Sequence, residues 1–153
     1  MKNKKTKTFV FEGLGFPVTL IKAPMRKVLG EWILDVDMGA LQLSVLRLLV
    51  HKQQRLTKDE LRFFRKYLSL TTTEFGKIFG VSHAAVVRWE KGQRQVEAAT
   101  EFYIRLYILN HLRAKDREFR NLYNELPLEK LSQATTEKEE PLEIDISEHL
   151  KTA

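Results

Sequence analysis

Two patterns of apolar and polar residues divide the chain. Residues 8–36 contain short runs rich in β-branched and aromatic residues, separated by Gly or Pro, which is typical of strands. The predicted strands are 8–11, 17–21, 25–29 and 31–36, broken at Pro24 and turned into a hairpin at Gly30. From residue 38 onward, apolar residues recur every three or four positions, which indicates amphipathic helices.

Residues that cap helices mark where several of these helices begin. Asp37 is a predicted N-cap for a helix over 38–53. Thr57 with Glu60, and Thr71 with Glu74, have the spacing of capping boxes, in which each side chain bonds the backbone N–H of the other residue. The predicted helix breaks are 69–71, 80–82, 92–95, 114–115 and Pro127.

These patterns predict an α+β protein in three parts. A small N-terminal strand-and-helix module occupies 1–56, an all-α domain occupies 57–127, and an acidic, largely disordered tail occupies 128–153. Residues 141–146 alternate apolar and acidic side chains, which leaves a second interpretation open: a strand that adds to a sheet edge.

Charge is unevenly distributed along the chain. The chain has 26 Lys and Arg against 20 Asp and Glu, a net charge of +6, and a pI near 9.5. Residues 127–153 hold three basic and seven acidic side chains, so the basic excess belongs to the preceding part. A basic body suggests a polyanionic partner, although a solvated basic surface would look the same.

Composition excludes several classes of function. The chain has no cysteine, which excludes disulfides, thiolate zinc sites, iron–sulfur clusters and thiol catalysis. No apolar run approaches the ~18 residues that span a bilayer, and we expect no signal peptide, no membrane contact and a cytoplasmic location at the nucleoid. The four histidines are scattered, and Asp35 with Asp37 is better explained by a helix cap than by a metal site. We therefore expect no enzyme, no cofactor and no metal.

The most informative stretch is residues 70–92. Gly76 would let a second helix cross closely, Gly80 can adopt the left-handed conformation that ends a helix, and Ser82 can cap the next one. Val81 would fill the corner between them. This spacing indicates a helix-turn-helix, and an ordinary helical hairpin with a glycine turn is the alternative.

Residues 57–112 resemble the lambda-repressor-like, or xenobiotic-response-element (XRE), family of DNA-binding domains. The matching motif is Leu70-Thr71-x-x-Glu74-Phe75-Gly76-x-x-Phe79-Gly80-Val81-Ser82-x-x-x-Val86-x-x-Trp89-Glu90-x-Gly92. The resemblance implies a five-helix bundle that binds operators as a dimer. It also implies that Arg65 and Glu90 form a structural clamp. Two positions depart from the family pattern: Thr72 replaces a frequent Gln, and Val87 replaces a usual Ser.

The second helix of the motif would present one face to the DNA major groove. With Val86 and Trp89 pointing inward, helical geometry places a set of four residues outward as candidate base contacts. These are His83, Ala84, Val87 and Arg88. The candidate phosphate contacts around them are Thr72, Thr73, Lys77, Lys91 and Arg94. A solvated basic surface is the alternative for the charged members.

The segment 96–112 is apolar around much of its circumference, so it needs a partner on more than one side. A second copy of the chain is one partner, and residues 8–52 are the other. A homodimer would present two recognition helices to palindromic double-stranded DNA, with half-sites roughly one turn apart.

The order of parts resembles MqsA-like antitoxins, which place an N-terminal module, often zinc-binding, before a helix-turn-helix. Without cysteine, that zinc site cannot exist here. We expect a sequence-specific DNA-binding transcriptional regulator, a dimeric repressor, acting as the antitoxin of a toxin–antitoxin pair. The alternatives are a stand-alone phage-type or prokaryotic repressor, and a protein-interaction module whose N-terminal domain binds a partner protein.

Overall fold

A computed structural model describes residues 4–135 and 141–146 and has an α+β architecture. Its elements are β1 Lys4–Phe11, β2 Val18–Val28, β3 Glu31–Leu34, α1 Met38–Val50, α2 Lys58–Tyr67, α3 Thr72–Phe79, α4 His83–Glu90, α5 Ala98–His111, α6 Asp116–Glu125, α7 Leu128–Gln133 and β4 Leu142–Asp145. The described residues form two compact units, which we call unit 1 (4–46 and 141–146) and unit 2 (47–135).

Unit 1 is built around β2, the central strand of its sheet. β2 runs antiparallel to β1 and β3 and parallel to β4. β4 pairs with one end of β2 and β3 with the other, while β1 pairs along most of its length. One face of the sheet carries the buried core side chains, among them Val18, Leu20 and Met25 of β2 and Ile144 of β4.

The predicted break at Pro24 is wrong, because β2 continues through that residue. The Pro24 carbonyl accepts the Asp35 N–H at 2.7 Å, so the residue still takes part in the sheet. Lys22 has a φ of +55°, and the β1–β2 register shifts beside it, which marks a β-bulge. The bulge inserts one residue and keeps Leu20 and Ala23 on the same buried face. The hairpin predicted at Gly30 is confirmed by the β2–β3 pairing.

The predicted helix caps are present. The Asp37 carboxylate accepts the Ala40 N–H at 3.0 Å. Both capping boxes are formed, and they begin α2 and α3. Five helices, α2 to α6, lie between residues 57 and 127. The first turns of α2 and α3 are thus positioned by interactions within four residues of chain, which sequence spacing predicts well.

Arg105 of α5 is fully buried and binds the segment between α1 and α2. Its guanidinium donates to the carbonyls of Val50 at 3.0 Å, Gln54 at 2.8 Å and Lys52, and to Glu101 Oε2 at 2.9 Å. Burial lowers the pKa of Arg105, and the nearby Glu101 carboxylate partly offsets this.

Glu101 extends the same buried network. Its Oε1 accepts Arg55 Nε at 3.1 Å and the Leu56 N–H at 3.2 Å, and Arg55 in turn donates to the Val96 carbonyl. Two arginines and one glutamate therefore share the interior side of α5, where the sequence pattern predicted mainly apolar contacts.

The predicted disorder of 128–153 is wrong for the segments that the structure describes. Leu131 of α7 is fully buried, which anchors that helix to unit 2. β4 pairs with β2, as in the second interpretation of 141–146, and Ile144 contributes to the core of unit 1. The remaining tail residues, 136–140 and 147–153, lie outside the described part.

The predicted boundary after residue 56 also differs from the observed division. The two units separate within α1, after residue 46, and β4 belongs to the N-terminal unit. The cause is the Arg105 network, which ties the end of α1 and the following loop to unit 2.

Candidate nucleic-acid interface

Helices α3 and α4 are joined by a tight turn in which glycine is required. A Cβ on Gly76 would lie 2.6 Å from the Val81 carbonyl oxygen, closer than real contacts allow. Gly80 ends α3 with a φ of 71°, in the left-handed region. Ser82 then caps α4, because its hydroxyl oxygen accepts the Ala85 N–H at 3.1 Å. Gly80 thus ends α3 and Ser82 caps α4 as predicted, whereas Gly76 makes room for the backbone of the turn at Val81 and Ser82.

Helix α4 buries one side and exposes the other. The buried side consists of Ala85, Val86, Trp89 and Glu90. The other side, which we call the α4 face, carries the residues predicted to contact bases: His83, Ala84, Val87 and Arg88. Three of them are exposed, and Val87 is half-exposed.

His83 is linked to the first turn of α3. Its Nδ1 lies 2.6 Å from the Thr72 hydroxyl and 3.5 Å from the Thr73 hydroxyl. With Nδ1 occupied, Nε2 is the polar ring atom left to meet a ligand. The structure thus joins a predicted base contact to two predicted phosphate contacts, a relationship that spacing alone did not reveal.

The remaining predicted phosphate contacts are cationic and exposed. Lys77 lies on α3, Lys91 follows α4 directly, and Arg94 lies in the loop before α5. Among the described residues, none of these three forms an ion pair within 4 Å. Their charge is therefore available to an anionic partner.

Glu74 lies in the first turn of α3, and its carboxylate interacts electrostatically with Lys77. Its Oε1 accepts the Thr71 backbone N–H at 3.0 Å, which lowers the pKa of Glu74 below its ordinary value. The carboxylate is therefore engaged in the capping box of α3.

Three side chains fasten α4 to α2. Arg65 donates from Nε to Glu90 Oε2 at 2.7 Å and from Nη2 to Glu90 Oε1 at 2.8 Å, and its Nη1 reaches the Leu70 carbonyl at 3.0 Å. The hydrogen bond with Glu90 raises the pKa of Arg65. Arg62 adds bonds to Glu90 Oε1 at 3.3 Å and to the Glu90 carbonyl at 3.1 Å. Arg62 was not predicted, although its position three residues before Arg65 on one helix was a usable signal.

An aromatic cluster connects α3 to α5. The Phe79 ring packs edge-on against Tyr103 at 5.4 Å and Tyr107 at 5.5 Å between centroids. Tyr103 remains 53% exposed, so the cluster reaches the surface of unit 2.

In unit 1, one lysine of β1 and one lysine of β2 lie near the same aromatic ring. Lys5 Nζ lies 4.2 Å from the Trp32 ring centroid, and Lys27 Nζ lies 5.9 Å from it. These are cation–π distances, so Lys5 is not merely a solvated charge.

Residues 4–135 and 141–146 contain neither a membrane-spanning helix nor a metal-binding cluster. No helix in this part combines the length and apolar character needed to cross a membrane. No group of three or more His, Asp or Glu side chains there is placed to hold a metal ion.

Comparison of the chain with protein-family models, with curated proteins and with solved structures gives no match. The interpretation of the α4 face therefore depends on the residues that form it.

Proposed function

We propose that this protein is a sequence-specific DNA-binding transcriptional regulator of the lambda-repressor-like type. In this proposal α3 and α4 form a helix-turn-helix, and α4 enters the major groove. The observation that carries the proposal is the α4 face itself. It is an exposed helix side on a helix fixed by Arg65 and Glu90, and the cations that flank it form no ion pair with any described residue. A rigid helix with a small polar and apolar face suits base readout.

Each residue of the face has a chemistry that suits a base edge. The Arg88 guanidinium can donate two parallel hydrogen bonds to guanine O6 and N7. Ala84 and Val87 can contact a thymine methyl group, and His83 can use Nε2 toward a base acceptor. The flanking set of Thr72, Thr73, Lys77, Lys91 and Arg94 would contact phosphates and fix the register.

Selection of bound DNA from a random duplex pool tests this proposal. The full chain should enrich one palindromic sequence, and its affinity should fall steeply with salt. Arg88→Ala should weaken the free energy of DNA binding by ~1–3 kcal/mol and relax the sequence preference at one base pair of each half-site. Arg120→Ala, which removes an exposed arginine from α6, is the charge-matched control and should leave selection unchanged.

Failure takes two distinguishable forms. No enrichment of any sequence by the full chain would overturn the proposal. Equal weakening of all sequences by Arg88→Ala would assign that residue to a phosphate instead of a base.

A homodimer is part of the proposal, because a palindromic operator requires two α4 faces. The exposed edge of the aromatic cluster, Tyr103, supports contact with a second copy through α5. Sedimentation equilibrium should find a dimer that Tyr103→Glu dissociates. Arg120→Glu, an exposed substitution on α6, should leave the dimer intact. A monomer at operator-binding concentrations would contradict this part.

A second function, neutralisation of a toxin, is favoured by the surface of unit 1. The β2–β3 hairpin exposes Val28, Leu29 and Ile33, and β1 exposes Val10. Exposed apolar residues of this kind suit a protein partner. The chain would then be an antitoxin acting in the cytoplasm at the nucleoid, and without a toxin it would be a stand-alone repressor.

Expression of the adjacent reading frame tests the antitoxin function. That product should arrest growth when expressed alone, and the chain should restore growth. Ile33→Asp should abolish the rescue while DNA binding persists, and Arg120→Asp should preserve both. A harmless neighbouring product would favour the stand-alone repressor.

A further inference from the structure

A cationic pocket lies in unit 2, between the end of α1 and the start of α6. Its volume is about 330 Å³. The lining side chains used in the argument are Arg47, Arg113, Lys115, Arg117 and Glu118. Four of these five are cationic, so the pocket is strongly positive.

The single carboxylate of the lining is already engaged. Glu118 Oε2 lies 2.6 Å from Arg47 Nη1, and Oε1 lies 3.2 Å from His51 Nε2. Both oxygens of Glu118 therefore have partners, and the carboxylate also holds Arg47 at the pocket wall. It cannot neutralise the other cations at similar range.

The other three cations have no acidic partner within the described part of the chain. Arg113, Lys115 and Arg117 are exposed and form no ion pair within 4 Å among those residues. Placing three like charges around one concavity is unfavourable unless water or an anion screens them. The pocket is therefore a site whose charge is unbalanced in the free protein.

We propose that this pocket binds a small anion that carries phosphate groups. Guanidinium groups match phosphate oxygens through paired hydrogen bonds, and three uncompensated cations suit more than one negative charge. No aromatic side chain lines the pocket, so it offers no stacking surface for a base. Its volume is at the small end of ligand pockets, which fits a compact phosphorylated molecule better than a macromolecule.

This site is separate from the proposed DNA contacts. None of its lining residues belongs to the α4 face or to the flanking set of candidate phosphate contacts. The two proposals therefore succeed or fail independently.

Isothermal titration calorimetry of the full chain at constant ionic strength tests the site. The probes are inorganic phosphate, pyrophosphate and fructose 1,6-bisphosphate, which separate a free phosphate, a free polyphosphate and a phosphate ester. At least one probe should bind at one site per chain. Arg117→Ala and Arg113→Ala should each weaken it about tenfold or more, as expected for a charge-assisted hydrogen bond. Arg120→Ala, on the same helix outside the pocket, should bind normally.

Three outcomes would overturn the proposal. One is no binding of any probe, and another is equal binding by Arg117→Ala, Arg113→Ala and the unchanged chain. The third is an equal response to sulfate and chloride, which would show a general salt effect. Thermal unfolding of each variant verifies that it folds, so a loss of binding can be assigned to the pocket.

Discussion

Arg65 holds Glu90 through two parallel hydrogen bonds of 2.7 and 2.8 Å, and this contact fixes the end of α4 against α2. The Glu90 side chain is only 5% exposed, and that of Arg65 is 15% exposed. Because water cannot readily replace either partner, removal of one leaves the other charge poorly solvated.

Glu90→Ala should therefore lower the free energy of unfolding by about 3 kcal/mol, as expected for breaking a largely buried ion pair. Urea unfolding followed by circular dichroism measures the change. DNA affinity, if the proposed function is correct, should fall with stability, because α4 loses its attachment. Glu97→Ala removes an exposed carboxylate that caps nothing and should have little effect. Normal unfolding of Glu90→Ala would show that the clamp is dispensable.

Gly76→Ala should destabilise unit 2 by about 1–3 kcal/mol, because the new methyl group overpacks the turn. The obstacle is the Val81 carbonyl oxygen, which is backbone and cannot rotate away. Gly39→Ala in α1 is the matched control, since its Cβ would meet only the Asp37 side chain at 3.3 Å. That change should not be destabilising, so the melting temperature should fall for Gly76→Ala alone.

Arg105→Met should lower the free energy of unfolding by about 3–5 kcal/mol. The substitution leaves the buried Glu101 carboxylate without this partner and several carbonyls without a hydrogen-bond donor. Equilibrium unfolding in urea measures the loss. Arg120→Met, at an exposed position, controls for the introduction of methionine. A loss below 1 kcal/mol would mean that water replaces the guanidinium in this network.

The capping box at Thr71 and Glu74 should make stability depend on pH. The pKa of Glu74 is lowered in the folded protein relative to its ordinary value of 4.5. The ionised carboxylate therefore contributes its full stabilisation at pH values above that ordinary pKa. That contribution is lost as the pH falls through the lowered pKa. The unfolding midpoints of the unchanged chain and Glu74→Gln should differ at pH 6 and converge toward pH 3. A difference that does not change with pH would contradict this origin.

Lys91→Ala should weaken binding to every duplex by a similar factor and reduce the slope of log affinity against log salt by about 1. This prediction rests on the proposed DNA contact of Lys91 with a phosphate. Titrations of one duplex at several salt concentrations measure the slope. Lys66→Ala, which removes an exposed lysine from α2, should leave the slope unchanged.

Features set by neighbouring residues were predictable from the sequence. The capping boxes and the Ser82 cap follow from interactions three residues apart, so residue spacing identifies them directly. The close approach at Gly76 follows similarly from the short turn after α3. The arrangement of the α4 face depends on these local features and on helical periodicity, which explains why its residues could be chosen in advance.

Features that depend on distant contacts were harder to predict. Arg105 lies in a largely apolar helix. Only the fold shows that its guanidinium donates hydrogen bonds to carbonyls some 50 residues earlier in the chain. A signal existed, because Glu101 lies one turn before Arg105, but spacing alone suggests a surface pair. No sequence feature indicated the bulge at Lys22, and Pro24 suggested that the strand ends there instead of continuing.

The parallel pairing of β4 with β2 has a consequence for synthesis of the chain. β2 leaves the ribosome early, whereas its partner strand is made only after all of unit 2. Until then, the sheet of unit 1 lacks Ile144 and the backbone partners of residues 18–21. During that interval one edge of β2 is open to another strand, so the sheet of unit 1 is complete only after unit 2 has been made.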